Sequence, residues 1–193
     1  DALVSVLGQA QAALTTFDSL LKIAAAESGM AAAELKPLDL CALARDAAEL
    51  YEPVAEEKGV RLTVTTDDGV PPVAAQRELL AQALTNLLDN AVKYTPAGGL
   101  IAVRVEADGG GVLLTVADSG AGIPAADRKR VLERFVRLEE SRSTPGAGLG
   151  LSLVAAVARL HEALLTLADN EPGLKVALRF PPTKVSITAR AAQ

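Results

Sequence analysis

Apolar residues recur at intervals of four and three along the first 28 residues of the chain, as in a helix with one apolar side. The repeating positions are Leu3, Leu7, Ala10, Leu14, Phe17, Leu21 and Ala24. The pattern predicts one long helix over residues 2–28, which Gly29 would end. We call these seven positions the seam of the helix. An apolar seam this long is expected to pack on another helix, from the same chain or from a partner subunit. A core helix of a single domain would show the same pattern.

A second helix is predicted to begin with Asp39 as its N-cap and to stop at Gly59. Its apolar stripe comprises Leu40, Leu43, Ala47, Leu50, Tyr51, Val54 and Ala55. Pro53 lacks the N–H that a helix interior uses, so a kink or a break is expected near Tyr51.

A third helix, starting near Gln76, carries two different stripes. One stripe is apolar and comprises Leu79, Leu80, Ala83, Leu84, Leu87, Leu88 and Ala91. The other consists of Asn86, Asn90 and Lys93, which lie at i, i+4 and i+7. Two carboxamide oxygens and an ammonium group on one helix face can hold a hydrated Mg²⁺ and the phosphates that it bridges. Solvated asparagines and an ordinary lysine near a helix end would give the same spacing.

The remaining apolar patterns predict strands and one further helix. Strands are expected at residues 60–66, 73–74, 101–105, 113–117, 164–168 and 174–180. A short helix is predicted for residues 124–135, a mobile polar loop for 137–145, and a helix for 151–160. This order indicates an α+β two-layer sandwich, in which one mixed sheet is covered on one face by about three helices. Residues 182–193 show no strong pattern and are interpreted as a tail.

A carboxylate, Asp118, stands where one predicted strand ends and is followed by Gly120 and Gly122. Glycine allows a backbone or ligand to approach closely. Asp118 could therefore accept a hydrogen bond from the exocyclic amine of a base. A tight turn after a strand would explain the glycines equally well.

A glycine-rich turn, residues 146–150, leads directly into the predicted helix 151–160. Such a turn offers backbone N–H groups and the positive end of a helix dipole to an anion, as a phosphate site requires. It is not a Walker loop, because no Gly-Lys-Ser or Gly-Lys-Thr is present, and no strand runs straight into it as in a dinucleotide fingerprint.

Composition restricts the class of protein only loosely. Half of the 193 residues are apolar, and the net charge of −5 argues mildly against a nucleic-acid surface. No apolar run reaches the 18 to 20 or so residues of a membrane span, and no secretory signal opens the chain. The single cysteine, Cys41, excludes an internal disulfide framework and is expected to be a small buried side chain. These features indicate a soluble, cytosolic globular domain.

Four segments in order resemble the motifs of sensor histidine kinases. Residues 86–96 are similar to the N box, 118–122 to the first glycine box, 133–137 to the F box and 146–151 to the second glycine box. The family belongs to an ATPase superfamily shared with gyrase, a class of heat-shock chaperones and the mismatch-repair ATPases. The resemblance covers roughly residues 36–181 and implies a Bergerat-type ATP-binding fold.

The resemblance implies an ATP-binding catalytic domain with ATP and Mg²⁺ as cofactors. In it Asn86 and Asn90 would position the metal, Lys93 would neutralise charge, Tyr94 would pack near the nucleoside and Asp118 would recognise adenine. The implied nucleotide-binding residues are Asn86, Asn90, Lys93, Tyr94, Asp118, Gly120, Gly122, Ile123, Phe135, Arg137, Arg142, Gly146, Gly148, Leu149, Gly150 and Leu151. Arg137 and Arg142 would reach the phosphates from the lid, although Arg142 could equally be a solvated charge.

The phosphoacceptor histidine that this family carries on a preceding helix is absent from the sequence. The only histidine is His161, which follows the second glycine box and is expected to be a structural residue at a helix end. Residues 1–30 resemble the second helix of the family's dimerisation hairpin, and the resemblance includes the Ala-Glu-Ser-Gly sequence with which the helix ends, residues 26–29. The chain is therefore interpreted as a fragment of a longer sensor, with its acceptor histidine and base elsewhere, so no catalytic residue is assigned within it.

The family implies a response-regulator receiver domain as partner and a homodimer formed through the first helix. No nucleic-acid or membrane contact is expected within these residues, which would be the cytoplasmic part of a bacterial sensor, with or without a membrane anchor. Two alternatives are a non-catalytic adaptor or phosphotransfer protein with a kinase-like fold, and an anti-sigma-type serine kinase. Departures from the family pattern are Gln76, where an Asp is common, and Glu162-Ala163, where two glycines often follow the histidine.

Overall fold

A computed structural model describes residues 14, 16–18, 20–27, 35–138 and 147–182. Most of the predicted first helix and the predicted tail from residue 183 onward lie outside these residues. So do Gly29, Arg142 and Gly146, on which parts of the predictions rest.

A five-stranded mixed sheet forms one layer of the molecule. The described strands are β1 (Lys36–Leu38), β2 (Arg61–Thr66), β3 (Val73–Ala75), β4 (Leu100–Asp108), β5 (Gly111–Asp118), β6 (Leu164–Asp169) and β7 (Leu174–Phe180). The sheet has the order β2-β4-β5-β7-β6, in which only β2 and β4 pair in parallel. Strands β1 and β3 form a separate antiparallel pair.

Helices cover one face of this sheet. They are α2 (Leu40–Glu57), α3 (Arg77–Tyr94) and α4 (Gly150–Leu160). Alternate strand residues such as Ile101, Val103 and Val105 are buried beneath them, because successive side chains of a strand point to opposite faces. The predicted two-layer α+β sandwich is confirmed.

Helix α2 begins as predicted and buries most of the predicted stripe. The Asp39 carboxylate accepts hydrogen bonds from the backbone N–H groups of Cys41 (2.8 Å) and Ala42 (3.1 Å). The helix runs through Pro53 to Glu57, so there is no break near Tyr51, and the kink stays a prediction. Leu50 and Val54 are 67% and 49% exposed, contrary to the prediction. Both positions lie about 20° around the helix axis from the buried Leu43, so the cover on this side of the helix does not extend from Leu43 to them.

The predicted helix over residues 124–135 is wrong. The structure has turns at residues 125–129 and a single 3₁₀ turn, Arg130–Leu132. A short helix needs an apolar face to pack, and Val131 is the only apolar residue in residues 125–135 that is buried. Cys41, in contrast, is buried as expected.

An N-terminal helix, α1, is present and is described at residues 14, 16–18 and 20–27. Its Ile23 and Ala26 are buried in the core. Leu14, Phe17 and Leu21 of the predicted seam are 67%, 61% and 54% exposed. The seam therefore faces away from the rest of the described chain. None of the described helices is long and apolar enough to cross a membrane.

Candidate functional site

A cavity of about 590 Å³ lies between α3, the end of β5 and the start of α4. Volumes of roughly 300–1,000 Å³ are typical of small-molecule sites. The wall combines apolar side chains from the sheet, such as Val116 and Val176, with polar groups from α3. A ligand with a flat apolar part and a charged part matches this division.

Helix α3 presents its polar stripe to the cavity because its apolar stripe packs in the core. Asn86, Asn90, Lys93 and Tyr94 all line the cavity. The Lys93 ammonium nitrogen lies 5.0 Å from the centre of the Tyr94 ring. A cation is thus held at the same end of the wall as the two carboxamides.

Asp89 adds a carboxylate to this wall, and the sequence analysis did not include it. Its Oδ1 accepts a hydrogen bond of 2.8 Å from the Tyr51 hydroxyl of α2. Burial and the Asp89 carboxylate raise the pKa of Tyr51, which therefore stays a donor. The spacing of Asp89, three residues after Asn86 and four before Lys93, is the signal that could have placed it in the wall.

The donor set of this wall suits Mg²⁺. Carboxamide and carboxylate oxygens are the hard ligands that this ion prefers, and it keeps several waters and binds together with substrate phosphates. In the described residues no group of three or more His, Cys, Asp or Glu could hold a metal ion by itself. The residues therefore fit an ion shared with a phosphate ligand better than an ion held by the protein alone.

Asp118, the last residue of β5, is the second carboxylate in the cavity wall and is 8% exposed. Its Oδ1 accepts hydrogen bonds from the backbone N–H groups of Gly120 (2.8 Å) and Leu174 (3.3 Å). Burial raises the pKa of the carboxyl group, and the two hydrogen bonds oppose that rise. Because both of these bonds use Oδ1, the geometry leaves Oδ2 for a ligand.

The start of α4 packs beside the two asparagines in the cavity wall. A Cβ placed on Gly150 would lie 3.7 Å from Asn90 Nδ2 and 3.9 Å from Asn86 Cγ. Leu149, the residue that precedes α4, makes no capping hydrogen bond with its side chain. The free N–H groups of a helix start attract anions. A phosphate group beside this contact would meet the N–H donors of α4 and the carboxamides of α3 together.

Comparison with known proteins decides the family. The model described as "Histidine kinase-, DNA gyrase B-, and HSP90-like ATPase" matches residues 75–184. The chain belongs to this family. Within it, the domain is of the histidine kinase ATP-binding catalytic type.

Two sensor proteins and one solved structure are among the relatives. Sensor protein CreC of Escherichia coli (strain K12) is 40% identical over 147 residues, which are 76% of this chain and 31% of CreC. Sensor protein IrlS of Burkholderia pseudomallei (strain K96243) is 31% identical over 185 residues, 94% of this chain and 39% of IrlS. The crystal structure of full-length ShkA in complex with AMPPNP superposes with a TM-score of 0.76 at 29% identity. That match covers 93% of this chain and 38% of ShkA. The chain thus spans less than half of each of these proteins.

The structure of this histidine kinase-type domain brings most of the predicted site residues to one cavity. Those that line it are Asn86, Asn90, Lys93, Tyr94, Asp118, Gly122, Ile123, Arg137, Gly148, Leu149, Gly150 and Leu151. Gly120 does not line it but supports Asp118, and a Cβ on Gly120 would lie 2.5 Å from the Tyr94 carbonyl oxygen. Phe135 does not line it either, since its side chain is 60% exposed with the backbone at φ 64°.

The sequence analysis missed a further set of lining residues in the histidine kinase-type domain. They are Thr16, Leu87, Asp89, Ala91, Val92, Val116, Ala121, Val131, Val136, Leu138, Ala147, Leu174 and Val176. Most of them are apolar. Their approach to the cavity depends on packing between distant segments, and a local pattern does not contain that information.

His161 lies outside the cavity wall and joins two helices of the kinase-type domain. Its Nδ1 is 2.7 Å from the Val157 carbonyl oxygen, and its Nε2 accepts a hydrogen bond of 3.0 Å from the Gln76 N–H. This pair of contacts requires the neutral ring with its proton on Nδ1. The ring is 4% exposed, and burial lowers its pKa.

Proposed function

We propose that the chain is the ATP- and Mg²⁺-binding catalytic domain of a two-component sensor histidine kinase. The whole protein would transfer the ATP γ-phosphoryl group to a histidine outside the residues of this chain. One observation carries the proposal: a single cavity has paired asparagines beside a helix start at one end and a buried carboxyl group, Asp118, at the other.

Asp118 would recognise the base through its Oδ2, which would accept a hydrogen bond from the adenine amine. Val116, Val176 and Leu174 would enclose the rings, because apolar walls favour the transfer of a flat base from water. Tyr94, which is 40% exposed, would pack beside the nucleoside.

The phosphates would lie beside the contact between α3 and the start of α4. Asn86 and Asn90 would hold Mg²⁺, which when bound would neutralise negative charge on the phosphates. Lys93 would add a cation, and the backbone of residues 148–151 would donate N–H groups. Arg137 lines the cavity from the loop side. Roles for Arg142 and Gly146 rest on their motifs alone. Catalysis would consist mainly of orientation and charge stabilisation, as in phosphoryl transfer generally.

The exposed seam of α1 supports a homodimer, since three large apolar side chains on one helix face gain from being covered. By analogy with two-component sensors, a response-regulator receiver domain would take the phosphoryl group from the acceptor histidine. The domain would act on the cytoplasmic side of the parent protein. The described wall contains no histidine, and the acceptor histidine would lie outside the residues of this chain.

The test is a calorimetric titration with ATP and Mg²⁺ of three proteins: the wild type, Asn90→Asp and Asp118→Asn. Asn90→Asp keeps the side-chain shape but places a negative charge opposite the phosphates. Asp118→Asn turns one acceptor into a donor that faces the adenine amine. We expect each variant to bind at least about tenfold more weakly, equivalent to about 1.4 kcal/mol. Equal affinity in all three proteins would refute the proposed site.

A second experiment separates catalysis from binding. The chain incubated alone with radiolabelled ATP should form little histidine phosphate, because His161 is buried and does not line the cavity. Robust labelling of His161 would contradict an acceptor outside the chain. Gyrase-like ATP hydrolysis or serine phosphorylation of an added protein would point to another branch of the family.

A further inference from the structure

The turn between β6 and β7 is bonded to the segment that carries Asp118. We name residues 118–123 the base-site segment. The Asn170 side chain donates an N–H from Nδ2 to the Asp118 backbone carbonyl, with 2.8 Å between nitrogen and oxygen. The Asn170 backbone N–H bonds to the Gly173 carbonyl (3.1 Å), which closes the turn. Asn170 therefore connects a closed turn to the first residue of the base-site segment.

The same hairpin also reaches the far end of the base-site segment. Arg128 donates its Nε–H to the Ile123 carbonyl (3.0 Å) and forms an ion pair with Asp169, the residue before Asn170. The Arg128 side chain is 19% exposed and the Asp169 side chain 63%, so the bridge is open to water at its carboxylate end. Adjacent hairpin residues thus hold the two ends of the base-site segment.

The backbone of the turn is packed tightly on the base-site segment. A Cβ on Gly173 would lie 1.8 Å from the Asp118 carbonyl oxygen, and a Cβ on Gly122 would lie 2.8 Å from the Gly173 carbonyl oxygen. The N–H of Leu174 bonds to Asp118 Oδ1. The turn thus meets Asp118 at its carbonyl and at its carboxyl group.

We propose that Asn170 is a positioning residue for base recognition, which fixes the Asp118 backbone and hence the direction of its second carboxyl oxygen. This inference rests on the proposed function. Adenine presents an amine to that oxygen, whereas guanine presents a carbonyl oxygen at the same ring position. The carboxyl oxygen attracts the adenine amine and repels the guanine carbonyl oxygen. Both effects depend on where the carboxyl oxygen points, so Asn170 increases the preference for ATP over GTP.

Two substitutions remove the hydrogen bond in different ways. Asn170→Asp keeps the shape of the side chain but has no donor when ionised. Asn170→Ala removes the donor without adding a charge. Glu171→Gln is the matched control, because it changes an exposed residue of the same turn and leaves the Asp118 contact intact. Asn170 itself is exposed and outside the apolar core, so both variants are expected to fold.

The readout is the ratio of the Kd for GTP to the Kd for ATP, measured by calorimetry with Mg²⁺. We expect both Asn170 variants to bind ATP about fivefold more weakly, on the scale of one hydrogen bond, while the Kd for GTP changes by less than about twofold. The ratio then falls about fivefold. Glu171→Gln should reproduce the wild-type ratio.

Amide spectra of the nucleotide-free protein provide a second readout. The Gly120 and Leu174 N–H groups both bond to Asp118 Oδ1, so Asn170→Ala should shift both signals. Unchanged signals and an unchanged ratio would overturn the role of Asn170. Equal weakening of ATP and GTP would overturn it as well, since a merely structural residue would act on both. Failure of the wild type to bind ATP would instead refute the proposed function.

Discussion

His161 makes the stability of the domain dependent on pH in a way that the structure specifies. The ring is held neutral between the Gln76 N–H and the Val157 carbonyl, and burial lowers its pKa. Below a pH of about 6.5 the unfolded chain binds a proton that the folded chain does not. The stabilising difference is therefore complete above that pH and is lost progressively as the pH falls further.

The size of this effect has a firm upper bound. If the folded ring stays neutral, the free energy of unfolding is lower at pH 5.5 than at pH 7.5 or above by about 1.4 kcal/mol. Because the sequence contains a single histidine, no other imidazole titrates between pH 5.5 and 7.5. Asp118 acts in the opposite sense: its raised pKa favours the folded state as it becomes protonated, and this contribution is lost as the pH rises through the folded-state value.

The assay is urea unfolding followed by circular dichroism at pH 7.5, 6.5 and 5.5, without nucleotide. His161→Gln is the comparison variant, because a carboxamide can both donate and accept but does not titrate. Asp118 is present in both proteins, so its contribution cancels in the difference. The wild type should lose up to about 1.4 kcal/mol more than His161→Gln between pH 7.5 and 5.5. Parallel curves would refute the buried neutral ring.

Three further changes test other parts of the structure. Tyr51→Phe removes the hydroxyl that donates to Asp89 and should cost about 1 kcal/mol in urea unfolding; no loss would mean that the bond is absent in solution. Asp39→Ala removes the cap of α2 and should cost about 1 kcal/mol, whereas Asp39→Ser should retain most of the stability, and an equal loss in both would argue against capping. Leu21→Glu, on the exposed seam of α1, should shift the mass from light scattering toward the monomer, with the exposed Glu162→Gln as control, and an unchanged dimer would exclude the seam as the interface.

Local periodicity was sufficient to predict most elements of the fold. The two stripes of α3 differ in chemistry and spacing, so both the helix and the residues facing away from its apolar side could be predicted. The strands could be predicted where apolar and polar residues alternate, as from Leu100 to Val105. The capping of α2 by Asp39 follows from a local hydrogen bond two and three residues away.

The errors arose where distant partners decide the structure. Leu50 has the right spacing for a buried stripe and lies on the same side of α2 as the buried Leu43, but the residues that cover Leu43 do not extend to it. Arg128 lies in a segment with helical spacing, yet its side chain bonds to Ile123 and to Asp169, 41 positions along. The contact of Asn170 with Asp118 spans 52 positions. The pattern of apolar and polar residues along the chain does not indicate which of these distant residues contact each other.

Helix α1 has apolar side chains on two opposite sides. Ile23 lies about 160° around the helix axis from Leu21 and is buried in the core, while Leu21 is exposed. Glu27 adds ion pairs to Arg134 and Arg159, so the helix is fastened to its own domain by charge as well as by packing. In an assembly formed through the exposed side, a rotation of α1 would therefore act on the rest of the domain through the packing of Ile23 and through these ion pairs.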